Sequence, residues 1–209
     1  MTILLLAVGS EVAHTDEVVS ESVATAQHKR DATVLHRTVV TEFRAKVERH
    51  FRDPYLSPLT EPDRLNFAGL SYFEIGAEYR LPARFVAETD DSVFAMPTFN
   101  NKTLNFTHYG TLTFDHAGSE VRLKVFRRLL GEHLSRTVLI PFRDATNGDE
   151  TYAGGRYIEM DLPLQEPLHL DFNRAMNPWC AYNPNYACPI PPPENYLSFP
   201  IRAGEKRFK

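Results

Sequence analysis

The residues best suited to chemistry sit late in the chain. Leu168-His169-Leu170-Asp171-Phe172-Asn173 alternates apolar and polar positions without a break. As a strand, it puts Leu168, Leu170 and Phe172 on one face and His169, Asp171 and Asn173 on the other. The polar face then offers an imidazole, a carboxylate and an amide at neighbouring pleats. Asp171 is the candidate acid or base, with Asn173 and the nearby Asn177 as hydrogen-bonding groups. If that face lines a barrel interior it is a site, and if it meets water it is a surface row. A stiff loop follows, with Asn177-Pro178, Asn183-Pro184, Cys188-Pro189 and Pro191 to Pro193 restricting the backbone. Such a loop holds polar groups in fixed positions. Asp171, Asn173 and Asn177 have an equally strong alternative use, tying down backbone that has no ladder to join.

A second cluster lies upstream, at Glu150, Tyr152, Gly154, Gly155, Arg156 and Tyr157. A glycine pair inside a strand run signals a bulge or a close backbone approach, and such a bulge re-aims the arginine that follows it. A guanidinium can hold a carboxylate or phosphate with two hydrogen bonds. It can also brace the fold by pairing with Asp171 or Glu150. The site expected from these residues has Asp171 and Arg156 at its chemical centre. Tyr157, Asn173 and Asn177 bind the ligand there, and Glu150 and Glu194 stand at the rim. Its ligand would be a small polar or anionic molecule, and no cofactor is indicated.

Several chemistries find no support. There is no His-Glu-x-x-His, no Gly-x-Ser-x-Gly elbow and no Gly-x-x-x-x-Gly-Lys loop. No metal site is expected: Asp144, Asp149 and Glu150 lack EF-hand spacing and read as a solvated acidic turn. The two cysteines, Cys180 and Cys188, have no histidine within several residues for a zinc site. They read as reduced structural thiols, as a disulfide around Ala181 to Ala187, or as a reactive thiol, in that order.

The elements that must position these groups change character along the chain. Residues 15–52 read as helix, with Thr15 and Asp16 as caps. Leu35, Val39, Phe43, Val47 and Phe51 recur every fourth residue along one face. That stripe packs on its own domain or serves as a homodimerisation arm. Asp53-Pro54 ends the helix. Beyond it, strands are expected near 79–88, 92–97, 103–114, 119–128, 136–143, 152–162, 167–173 and 196–203. Asp115 to Gly118 and Asn147-Gly148 supply hairpin turns. The fold class is therefore mainly β: an antiparallel barrel or curved sandwich with one or two N-terminal α-helices. The expected division is a helical arm, 1–53, and a β domain with a Pro-rich loop, 54–209.

The composition fits one soluble globular core, with 209 residues and a formal charge of −4. That charge argues against a nucleic-acid binder, and Arg122, Lys124, Arg127 and Arg128 read as the solvated face of a strand. No run is long enough to span a membrane. The apolar opening Met1 to Val8 lacks a basic start and a small-residue cleavage site, so a cytoplasmic protein is expected. A trimmed signal would make it secreted or periplasmic. A non-catalytic alternative would dock a partner on Trp179, Tyr182, Tyr186 and Pro191 to Pro193. In a third reading, the polar residues are purely architectural.

The sequence also resembles the bacterial and archaeal family called domain of unknown function 1684, over roughly residues 37–209. The matching stretches include Gly69-Leu70-Ser71-Tyr72-Phe73, Pro141-Phe142-Arg143-Asp144-Ala145-Thr146 and Glu150 through Tyr157. They continue with Asp171 through Ala175, Cys180-Ala181-Tyr182, Cys188-Pro189, Glu194-Asn195 and Ile201 through Lys206. Met176 stands where an aromatic residue is expected. The resemblance implies a shared fold and shared polar positions, and it brings no activity with it.

Overall fold

The computed structural model describes the backbone of residues 11–209 and the side chains of residues 25–209. The apolar opening and the capping side chains of Thr15 and Asp16 lie outside what is described. The chain divides into two compact units, Met1–Thr41 and Glu42–Lys209. Helix α1 (Glu11–Arg52) runs through both. In the first unit Leu35 and Val39 are exposed. In the second, Phe51 is buried with Leu59 and Tyr182, and Val47 packs beside them. The helix stops as expected. Asp53 turns its carboxylate back to accept from the backbone N–H groups of Tyr55 (2.8 Å) and Leu56 (3.1 Å).

A short helix α2 (Glu61–Leu65) precedes the sheet. The strands are β1 (Arg80–Ala87), β2 (Val93–Met96), β3 (Leu104–His116) and β4 (Ser119–Leu130). They continue with β5 (His133–Leu134), β6 (Thr137–Phe142), β7 (Arg156–Asp161) and β8 (His169–Asp171). The sheet order is β7-β6-β4-β3-β1-β8, with β2 on β3 and β5 on β4, and every pairing is antiparallel. The β3–β4 hairpin turns at Ala117-Gly118, both at positive φ, with Asp115 accepting from the Gly118 N–H at 3.1 Å. The two outer strands nearly meet. Met176, just past β8, exchanges backbone hydrogen bonds of 2.8 and 2.9 Å with Tyr157 of β7. This bridge draws the sheet into a nearly closed barrel.

The barrel core is the inward row of each strand. Leu112, Leu123, Val125, Ile140, Phe142, Leu170 and Phe172 are all buried within it. Fully burying each such side chain contributes about 1.5–3 kcal/mol. Leu168, Leu170 and Phe172 thus face inward, as the alternation required. The outer half of the same row, His169 and Asp171, therefore points away from the core.

Two expected strands differ. The run 152–162 becomes strand only at Arg156, because Tyr152 to Gly155 makes a tight turn. Gly155 sits there at φ +94, and a Cβ on it would lie 2.5 Å from the Phe142 carbonyl oxygen. The run 196–203 is not a strand. Apart from one bridge between Tyr196 and Arg143, it is extended chain whose carbonyls serve a side chain. Among the described residues, no helix is long and apolar enough to cross a membrane.

Candidate functional site

Arg156 is the largest fully buried side chain in the barrel. Its Nη2 donates to Asp144 Oδ2 at 2.8 Å and to the Ile201 carbonyl at 2.7 Å. Its Nη1 donates to the carbonyls of Ala203 and Glu205. Asp144 in turn accepts from the Thr146 N–H (2.9 Å), the Thr146 hydroxyl (2.6 Å) and the Ile201 N–H (3.1 Å). Arg156 is thus a brace that ties the 201–205 segment to the β6–β7 connection. The expected partners, Asp171 and Glu150, are replaced by Asp144. That residue, read from sequence as part of a solvated acidic turn, is only 7 % exposed.

Asp171 and Asn173 make a local tie. The row breaks at Phe172, where a 3-10 turn begins and swings Asn173 inward. Asp171 Oδ1 accepts from the Asn173 N–H (3.0 Å) and from its Nδ2 (2.8 Å). Asn173 also takes the Gly76 N–H at 3.0 Å and donates to the Gly76 carbonyl at 2.8 Å. It satisfies both backbone groups of a loop residue 97 positions away. Glu150 and Glu194 hold surface ion pairs, with Arg202 (2.8 Å) and Lys124 (2.6 Å).

The open space lies elsewhere. A cavity of about 250 Å³ is lined by apolar groups from several elements, among them Phe51, Phe106, Leu139, Met176 and Pro189. Of the expected site residues, Tyr157 and Asn177 line it. Arg156, Asp171, Asn173, Glu150 and Glu194 do not. The exposed side chains of Arg128 and Glu159 also border it, as does the half-exposed Trp179. The Trp179 ring stacks at 6.0 Å on His50.

The polar end of the cavity is a cluster that the sequence reading did not assemble. Glu205 is buried, and its carboxylate accepts from the Tyr182 hydroxyl, from Asn177 Nδ2 (2.9 Å) and from the Asn177 N–H (3.1 Å). Asn177 Nδ2 also donates to the Lys206 carbonyl at 2.8 Å. With both amide hydrogens on acceptors, the orientation of the Asn177 amide is fixed. Its Oδ1 is buried and has no hydrogen-bond partner. Burial pushes the Glu205 carboxyl up to about 7, against the pull of the Tyr182 and Asn177 donors and of Arg156. Burial likewise raises the Tyr182 and Tyr157 phenols. The one signal for Glu205 in the sequence was its place in Ile201-Arg202-Ala203-Gly204-Glu205-Lys206, a stretch that carries the family resemblance. Its partner Asn177 lies 28 positions away.

Both cysteines are free, with Cys188 in the cavity wall and Cys180 half-buried behind it. Among the described residues, no group of three or more His, Cys, Asp or Glu is arranged to hold a metal.

Fold and cavity together define a nearly closed antiparallel β-barrel with an apolar pocket that ends on a buried amide and carboxyl. The chain belongs to the family described as protein of unknown function (DUF1684), whose model matches residues 65–206. It is similar to an uncharacterized protein of Haloarcula marismortui solved by solution NMR. The two are 35% identical over 84% of this chain and 96% of that one, with a TM-score of 0.67. No curated protein matches it.

Proposed function

We propose that the cavity binds a small, mainly apolar molecule carrying one hydrogen-bond donor, such as an indole, a phenol or an aromatic amine. The observation that carries this reading is the unpartnered Asn177 Oδ1 on a cavity whose wall is mainly apolar. A buried acceptor left without a donor costs about 1–3 kcal/mol, and a ligand N–H or O–H would recover it. The volume lies below the usual ~300–1,000 Å³ of drug-sized sites, which favours a ligand of one or two rings. The polar end offers a carboxyl and an amide oxygen, while Arg156 is turned away to Asp144 and the Arg128 guanidinium stands at the exposed border of the cavity. This favours a neutral donor over the anion first expected. With a carboxyl poised near neutrality, the site could also exchange a proton with such a ligand.

Docking of a protein partner on the aromatic loop has less to use. Tyr182 is 4 % exposed and Pro191 is buried, which leaves Trp179, the partly exposed Tyr186 and Pro193.

Trp179 is the lone tryptophan and borders the cavity. Titration with indole-free donors such as phenol and aniline should change its emission saturably, and the Leu139→Trp variant, which fills the cavity, should bind at least ~10-fold more weakly by NMR chemical-shift titration. A panel of neutral donors that gives no saturable response, or a Leu139→Trp variant that binds as the wild type does, would overturn the reading.

A further inference from the structure

Cys180 and Cys188 are not two unrelated thiols. The Cys180 backbone N–H donates to Cys188 Sγ at 3.1 Å, from a 3-10 turn at Trp179–Ala181 that folds the chain back on itself. The two sulfurs also act on each other, lowering Cys180 and raising Cys188. The Tyr152 hydroxyl lies 4.0 Å from Cys180 Sγ on another side. Cys180 is half-buried and reachable, whereas Cys188 is 4 % exposed. The contact is held by proline on both flanks, Pro178 before the turn and Pro189 after Cys188.

We infer that Cys180 and Cys188 form a dithiol that reacts with hydroperoxides, in which Cys180 attacks and Cys188 resolves. This inference stands apart from the ligand proposed for the cavity. The Cys180 thiolate attacks one peroxide oxygen and the O–O bond breaks. The leaving oxygen takes a proton and departs as water, or as an alcohol from an organic peroxide. Cys180 is left as a sulfenic acid. The Cys188 sulfur then attacks the Cys180 sulfur, the S–O bond breaks, and hydroxide leaves with the Cys188 proton as water. Two thiols are oxidised to one disulfide, and one peroxide is reduced.

The surroundings divide the two roles. Donation from Cys188, and then from Tyr152, lowers the Cys180 thiol below its ordinary value. Giving its hydrogen to Cys180, together with burial, raises Cys188. The accessible sulfur is therefore the one that ionises more readily. The buried sulfur stays protonated beside it until the sulfenic acid forms. Tyr152 is itself pushed up to about 12, by burial and by the nearby cysteine, so it remains a hydroxyl able to donate.

The test uses the intact protein. Treated with a ~10-fold excess of hydrogen peroxide at neutral pH, the wild type should lose two titratable thiols and the mass of two hydrogens while remaining a single chain. Thiol loss should run ~10-fold faster than for free cysteine in the same solution. Cys188→Ser should give a sulfenic acid at Cys180 that dimedone traps, and Cys180→Ser should leave Cys188 unmodified. The wild-type measurement needs no variant, so a variant that fails to fold does not rescue the idea. Persistence of both thiols while free cysteine is oxidised would overturn it. So would dimedone labelling of Cys188 in Cys180→Ser, or a disulfide that links two chains.

Discussion

Two buried carboxyls stand at opposite ends of the 201–205 segment and have opposite characters. Asp144 is paired with the buried guanidinium of Arg156 and takes three further hydrogen bonds. Glu205 is as deeply buried, but it meets a phenol, an amide and a backbone N–H. Arg156 reaches Glu205 only at its backbone carbonyl. The first carboxyl has a full countercharge and serves as structure. The second is hydrogen-bonded to dipoles, with the Arg156 charge acting on it only from a distance, and its protonation changes near neutrality. Burial by itself therefore does not mark a functional acid in this protein. What separates the two is the lack of a directly paired cation and the presence of open space.

Removing the countercharge should have the largest effect. Arg156→Met leaves Asp144 buried and unpaired, and the fold should lose about 3–5 kcal/mol in urea unfolding. A loss under about 1 kcal/mol would erase the distinction between the two acids. Next comes pH. The folded value for Glu205, about 7, lies above the ordinary value of 4.5. Its protonated form is thus the stable one, and that contribution is complete below the ordinary value. It is lost as pH rises through 7, amounting to about 3 kcal/mol. Between pH 4 and 8, wild type should lose that much relative to Glu205→Gln. Parallel stability curves for the two proteins would place Glu205 with Asp144.

Gly204 sharpens the same contrast by holding the backbone beside Glu205. It sits at φ +76, and a Cβ would come within 2.6 Å of the Ala175 carbonyl oxygen and 2.7 Å of that of Phe172. Gly204→Ala should cost about 2 kcal/mol in thermal unfolding and shift the NMR signals of Asn177. The smallest effect belongs to a carboxylate in water. Breaking the Lys124–Glu194 pair with Lys124→Ala should change stability by less than about 1 kcal/mol, and less still at high salt.

The β character of the fold was legible because strand alternation and turn residues are local signals. Leu168, Leu170 and Phe172 declared their face, and Ala117-Gly118 turned where Asp115 to Gly118 said it would. The residues around the candidate cavity were legible only in part. Tyr157 and Asn177 reach the cavity, but Asp171 spends its carboxylate two residues away on Asn173. Strand periodicity could not foresee the 3-10 turn that sends Asn173 inward. Arg156 announced a buried brace or an anion holder, and choosing between them required knowing that Asp144 was buried. Glu205 was hidden because its character comes from Asn177 and Tyr182, which are distant in sequence and meet it only across the barrel seam.

That seam has a consequence for synthesis. The acceptors of the Arg156 guanidinium include carbonyls 45 to 49 positions further along the chain. A growing polypeptide that has already exposed every strand would still carry a guanidinium paired with Asp144 alone, its other hydrogens without acceptors in the unfinished interior. The barrel cannot settle on the ribosome until residue 205 has emerged, so arrested chains cut short of that point should remain open to protease while longer ones resist it.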